Sequence, residues 1–247
     1  MSSLIAIDPV NHLNLQINPT QVVQHSKEQH LIPVVLSEFE HVALQYPLVI
    51  TKNGESGQFL PVAMLGLSLS ENLFLHDDQF NGLYVPLQLQ RQPFFVGVDD
   101  EESAKSEQTG ELVPYTVCFD PKSPTITGSE GERIYTDDGQ ETAFFQEAKQ
   151  LLGQILEGEA ANEQFINTLV ELDLLQPLSI DIEYIDHSTQ RINGLFGVDQ
   201  AKFAQLSGDT LVALREQHFL KAIYAMIISL GHIYALIEKK NELLQAK

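Results

Sequence analysis

Apolar positions change their spacing partway along the chain. From Leu31 to about Phe119 they come as short runs between turn-forming residues: Leu31–Leu36, Leu48–Ile50, Phe59–Leu67, Phe94–Val98 and Val113–Phe119. Runs of this length, bounded by Gly, Pro, Asn and Asp, predict strands. Asn53-Gly54 lies between the second and third runs, so residues 48–67 predict a hairpin turning through Asn53–Gly57. After residue 140 the spacing becomes helical. Phe144, Phe145, Ala148, Leu151, Leu152 and Ile155 share one face of a predicted helix over 142–156. Phe165, Ile166, Leu169, Leu172 and Leu175 share a face of a second over 160–175, which Pro177 stops. Leu178–Ile185 alternates as a strand does, and Arg191–Val198 returns beside it. Two helices close the chain, near 208–217 and 219–240. Residues 1–30, rich in Gln, Asn and His, predict a partly ordered arm. The acidic stretch 99–112 predicts a solvated loop between two strands.

The last helix raises the question of a membrane. Lys221 interrupts its start, leaving Ala222–Ile237 without a formal charge. At 1.5 Å per residue that run spans about 24 Å, short of the roughly 30 Å of hydrocarbon in a bilayer. Ser229, Gly231 and His232 lie inside it, and a histidine in lipid is costly. A buried core helix is expected, with a membrane anchor as the alternative. The fold class expected is α+β: a mostly antiparallel, short-stranded sheet covered by C-terminal helices. Residues 1–30 form the arm and 31–247 a single domain.

Composition narrows the function classes. Hydrophobic residues make up 43% of the 247 residues and charged residues 19%, as in folded globular chains. The 34 acidic residues against 14 basic give a net charge of -20. Phosphate backbones repel such a surface, so no nucleic-acid partner is expected. The charge suits solubility, or docking to a basic partner. A lone cysteine, Cys118, excludes an internal disulfide, and its apolar neighbours predict a buried thiol. Met1–Pro9 lacks a basic, apolar leader pattern, so a cytoplasmic location is expected.

Candidate chemistry is sparse. There is no Gly-x-Gly-x-x-Gly, phosphate loop, His-Glu-x-x-His or Gly-x-Ser-x-Gly, and no cofactor or metal is expected. His76-Asp77-Asp78 has ligand-type side chains, but adjacent positions match no metal spacing. Asp137–Glu141 lacks the calcium-loop pattern and predicts a turn before a helix. His218 and His232, on one continuous helix, would stand about 21 Å apart. Asp186-His187-Ser188 predicts a turn, since contiguous residues make no catalytic triad. Arg91, before Pro93-Phe94, is the first candidate for binding a carboxylate or phosphate; the alternative is a salt bridge to Glu38 or Glu71. Glu71 and Asn72 either line a site, or Asn72 satisfies a turn while Leu73 and Phe74 enter the core.

A series of short motifs in fixed order carries a family resemblance: Leu31-Ile32-Pro33-Val34-Val35 with Ser37-Glu38-Phe39, Tyr46-Pro47-Leu48-Val49-Ile50, Gly66-Leu67 then Glu71-Asn72-Leu73-Phe74, Tyr84-Val85-Pro86 through Arg91-Gln92-Pro93-Phe94, and Gly194-Leu195-Phe196-Gly197-Val198-Asp199. Over roughly residues 30–238 the chain resembles the SapC family of bacterial proteins, named for association with a surface layer. It departs from the family pattern in having no Trp, and in Gln90-Arg91 where adjacent arginines are common. The resemblance implies no catalytic residues. It implies an accessory or binding protein, encoded near flavin-dependent tryptophan-halogenase-like proteins and non-haem iron oxygenase-like proteins. Arg91, Glu71, Asn72 and Tyr84 are then the ligand- or partner-binding candidates. The expected partner is a protein, a halogenase-like flavoprotein or an iron oxygenase, with no membrane and with a homo-oligomer left open. Two alternatives remain: an enzyme with a cleft around Arg91, Glu71 and His76, and a surface-layer or membrane-associated structural protein.

Overall fold

The computed structural model describes residues 4–54, 56–77, 79–97, 115–126, 128 and 130–245. The predicted acidic loop at 99–112, the ends Val98 and Val113 of the strands beside it, and Asp78 lie outside the described residues. The architecture is α+β with antiparallel sheets, as the spacing predicts. The chain divides into two compact units, Met1–His25 with Gln88–Leu156, and Ser26–Leu87 with Glu157–Lys247.

In the first unit, Thr116–Phe119 is the middle strand between Ile5–Ala6 and Phe94–Gly97. Gln16–Ile17 pairs with Glu132–Arg133. Parts of the N-terminal arm are therefore sheet edges. Ile17, Phe94, Phe119, Ile134, Tyr135, Phe145 and Leu152 close the core. Cys118, expected to be buried, is half-buried. It lies one residue off the register of Phe119, the strand's fully covered position, and partial burial pushes its thiol pKa up.

The second unit is built on a five-stranded antiparallel sheet. Its strands are β1 (Leu31–Pro33), β2 (Leu48–Lys52), β3 (Phe59–Met64), β4 (Leu175–Glu183) and β5 (Thr189–Val198), in the spatial order β4-β5-β2-β3-β1. The predicted hairpin is there: β2 and β3 pair from Leu48↔Ala63 to Lys52↔Phe59. Leu48, Val49 and Ile50 are all buried, because a central strand covered on both faces reads as a continuous apolar run. Pro177 sits on the edge strand β4, where a missing N–H costs no ladder bond.

The helices depart from the sequence reading in two places. The two predicted over 142–156 and 160–175 are one, Ala143–Glu171. Gly158 in its middle costs helix propensity, but a Cβ there would come within 2.5 Å of the Val35 side chain, so the bare Cα permits a close approach. The helix ends before Pro177 acts. Asp173 takes a left-handed φ of 53°, and Leu174 donates to the Leu169 carbonyl at 2.8 Å, closing the C-terminus. Conversely, the single helix predicted over 219–240 is two, Phe219–Ser229 and His232–Gln245, broken at Leu230-Gly231. Gly231 is where helix propensity is lowest.

The apolar helix carries its buried side on Phe219, Ala222, Ile223, Met226 and Ser229, the 3–4 spacing of a face packed on a core. Ser229 is fully buried. It accepts the Leu48 amide at 2.9 Å and donates to the Met226 carbonyl at 2.9 Å. His232 bonds the Ala43 carbonyl at 3.0 Å. The polar residues inside the apolar run thus bond the unit's own main chain. By length and hydropathy alone, Phe219–Gln245 is also long and apolar enough to cross a bilayer.

Candidate functional site

An enclosed polar cluster surrounds Glu38, 2% exposed. After β1 the chain turns through Leu36–Glu38, which leaves main-chain amides without strand partners. Glu38 supplies acceptors for them. One carboxylate oxygen accepts the Val35 amide at 3.0 Å, and the other accepts the Leu87 amide and the Tyr84 hydroxyl, each at 3.0 Å. The Tyr84 carbonyl accepts the Tyr46 hydroxyl at 2.6 Å. His41 stacks on the Tyr84 ring at 5.3 Å. Burial pushes the Glu38 pKa above the usual glutamate value, although its three donors favour the charged form. Burial likewise raises the Tyr84 and Tyr46 phenols, with the Glu38 charge adding to the rise at Tyr84.

Asn162 performs the same task on the other side of this turn. Its amide group donates to the Val34 carbonyl at 2.8 Å and its oxygen accepts the Leu36 amide at 2.8 Å.

Glu71 and Asn72 form a second, separate network in this unit. Gly66 lets the chain fold back on itself, since a Cβ there would lie 2.3 Å from the Glu71 carbonyl oxygen. Glu71 accepts the Leu67 and Ser68 amides at 3.0 and 3.2 Å, and its other oxygen meets the Lys240 ammonium. Asn72 accepts the Phe74 amide at 2.9 Å and donates to the Ser26 carbonyl and hydroxyl at 3.1 and 2.8 Å. Leu73 and Phe74 are buried. His76 is exposed on the two-residue strand Leu75–His76, paired with Gln79–Phe80.

Arg91 belongs to the first unit. Its guanidinium donates to the Gln88 side chain at 2.6 Å and to the Phe94 carbonyl at 2.8 Å, and lies 4.1 Å from the Phe95 ring centroid. That is the forked, stacked use of arginine, directed here at its own neighbours.

Asp186, His187 and Ser188 form the β4–β5 turn, with both the Ser188 amide and hydroxyl on Asp186. No group of three or more metal-ligating side chains converges among the described residues.

Each unit also has a concavity. In the first, a pocket of about 270 Å³ lies beside Gln92, Phe94 and Phe144, and the side-chain oxygen of Gln92 is buried without a hydrogen-bond partner among the described residues. In the second, a groove of about 550 Å³ runs between the start of β3 and the helix segment Glu159–Val170.

The sequence reading did not single out Glu38 as a hub, nor Asn162, Ser229 or the groove. Glu38 had a local signal, because it follows Val35 at the spacing of a residue that reaches back to a turn amide. Asn162 and Ser229 act across more than a hundred residues and had none.

A family model described as SapC matches residues 7–236. No curated protein and no solved structure matches the chain.

Proposed function

The chain belongs to the SapC family, and from that premise we propose that it is a non-catalytic accessory or binding protein of the cytoplasm. In this reading it acts with a tryptophan-halogenase-like flavoprotein or a non-haem iron oxygenase on a peptide or protein substrate. One observation supports the non-catalytic part. Glu71 and Asn72 bond the main chain of the chain's own turns, and Tyr84 donates to Glu38, which accepts the main-chain amides of Val35 and Leu87. A side chain that holds its own main chain in place is a poor proton carrier, because moving its proton or charge loosens the fold. The net charge of -20 supports the binding part, since it favours fast encounter with a basic partner surface.

The competing enzyme reading is favoured by one feature, the raised pKa of buried Glu38, since such shifts gather at active sites. Its three donors explain the burial without chemistry.

Affinity purification of the tagged protein from its native cell, without detergent, tests the proposal. The expected result is a stoichiometric flavoprotein or oxygenase in the soluble fraction. A soluble protein that comes down alone overturns the accessory reading, and recovery only with detergent overturns the location.

A further inference from the structure

Among the described residues, the register of the five-stranded sheet leaves the start of β3 open on the side toward β1. Asn53 donates to the Gln58 carbonyl at 2.8 Å and Met64 to the Pro47 carbonyl at 3.0 Å, so the even residues of β3 direct their main-chain groups toward β2. The odd residues direct theirs the other way, toward β1. Leu65 donates to the His30 carbonyl at 2.7 Å and Val34 donates to the Pro61 carbonyl at 3.1 Å, as that alternation requires. One step further, Phe59 would face Leu36. The Leu36 amide is bonded to Asn162 instead, at 2.8 Å, because the chain has already left the sheet for the turn Leu36–Glu38. Among the described residues, the outward N–H and C=O of Phe59 have no strand beside them.

These groups open on the groove of about 550 Å³, whose other wall is the helix. Glu159, Glu163, Ile166 and Val170 line that wall at a spacing of three and four, one face of the helix. Val170 is 50% exposed. From Glu159 to Val170 the wall is about 17 Å long, which matches about five residues of extended chain. Its acidic end favours basic side chains and its apolar end favours apolar ones. Lys52, opposite Phe59 on β2, holds its ammonium over the Phe59 and Phe196 rings at 4.9 and 5.9 Å and does not line the groove.

We propose that this groove binds an extended, basic peptide segment, which pairs with the Phe59 main chain as an added strand and sets a basic side chain against Glu163. Strand addition takes its affinity from main-chain bonds and its selectivity from alternate side chains. Val34 already faces Pro61 and bonds its carbonyl, which limits the open edge to Phe59, so the peptide is held by one exchanged pair of hydrogen bonds and by the helix wall. The inference rests on the reading of the chain as a binding protein, and names the site and the chemistry of what it holds.

The test uses the full chain and a fluorescent peptide of alternating Lys and Val, titrated by anisotropy. A second peptide of the same sequence, N-methylated on every residue, has no N–H on either edge and cannot pair as a strand. The expected results are binding that weakens about tenfold or more with the methylated peptide, and by a similar factor in Glu163→Lys and Val170→Lys. Both variants change exposed side chains, so thermal unfolding should match the parent and show that the fold is intact. Slowed hydrogen exchange at the Phe59 amide on peptide addition locates the contact. Equal binding of the two peptides, or by both variants, overturns the proposal.

Native-cell purification with Val170→Lys separates this failure from that of the wider reading. A partner retained by the variant at the parent's yield overturns the groove and leaves the accessory role standing. No partner on the parent protein overturns the accessory role itself.

Discussion

Glu38 and Glu71 solve the same problem in two ways. Each accepts main-chain amides where the chain turns away from the sheet, and each lies in the unit built on the five strands. Glu71 is balanced by Lys240, from the C-terminal helix. Glu38 is balanced by dipoles, the Val35 and Leu87 amides and the Tyr84 hydroxyl, in a site only 2% exposed. The difference shows in the energetics. A carboxylate with a cation gains Coulombic energy that salt and a mobile lysine can erode. A buried carboxylate held by fixed donors gains little from charge and depends on having every donor in place. The Glu38 turn is therefore the rigid one, and the Glu71 turn is the one that a change in the C-terminal helices can loosen.

The largest effect expected comes from removing the element that serves the second turn. Ending the chain before Phe219 deletes Lys240, the buried face of the apolar helix, and the Ser229 hydroxyl that satisfies Leu48. The truncated chain should fail to fold, seen as loss of native circular dichroism and rapid proteolysis. A truncated chain that folds and changes only its location would mean the helix is an anchor and not core. Next comes Glu38→Ala, which strands two amides and a hydroxyl in a dry site. It should cost about 3–5 kcal/mol, measured by urea unfolding. Glu71→Ala loses two amide acceptors in a less enclosed place and should cost about 2–3 kcal/mol. Lys240→Ala should cost about 1 kcal/mol and should matter less as salt is added. If Lys240→Ala proves as costly as Glu38→Ala, the ranking of dipoles above the ion pair is wrong.

How much of this was readable in the chain divides along the same line. Local patterns carried the fold. The runs at 48–50 and 59–67 and the Asn53-Gly54 turn between them gave the central hairpin, and the alternation at 178–185 and 191–198 gave the strands that meet as β4 and β5. The two errors in the helices arose where propensity and tertiary packing disagree. Gly158 looks like a break until Val35 is found against it, and Leu230-Gly231 looks continuous in an apolar run whose helix is in fact interrupted there. The candidate residues fared unevenly. Glu71, Asn72 and Tyr84 were picked out and do make specific polar contacts, but whether a partner uses them is not something residue type encodes. By sequence, Glu38 belongs to the Ser37-Glu38-Phe39 motif and is a candidate partner for Arg91. Its acceptors instead serve Val35, Tyr84 and Leu87, and the last two arrive from nearly fifty residues away. The groove exists because Asn162 captures the Leu36 amide, and no spacing within either segment records that.

The smallest effect expected is also the one that tests the nature of the Glu38 site most directly. Its pKa is raised in the folded state, chiefly by burial. The folded protein therefore binds a proton more tightly than the unfolded chain does. Below the ordinary glutamate value both states are protonated and the contribution of this shift to stability is fully present. As pH rises through the window up to the raised value, the unfolded chain releases the proton first, and that contribution is lost. Each pH unit inside the window removes at most about 1.4 kcal/mol. The other carboxylates of this acidic chain repel one another and slope the same way, so the total curve is not diagnostic. Glu38→Gln isolates the term: it keeps an acceptor for the turn and cannot titrate. Its unfolding free energy should fall less steeply than the parent's just above the ordinary glutamate value, and the two curves should run parallel at higher pH. Parallel curves throughout would mean that the three donors offset the burial completely, and that Glu38 stands ionised in the fold like any surface carboxylate.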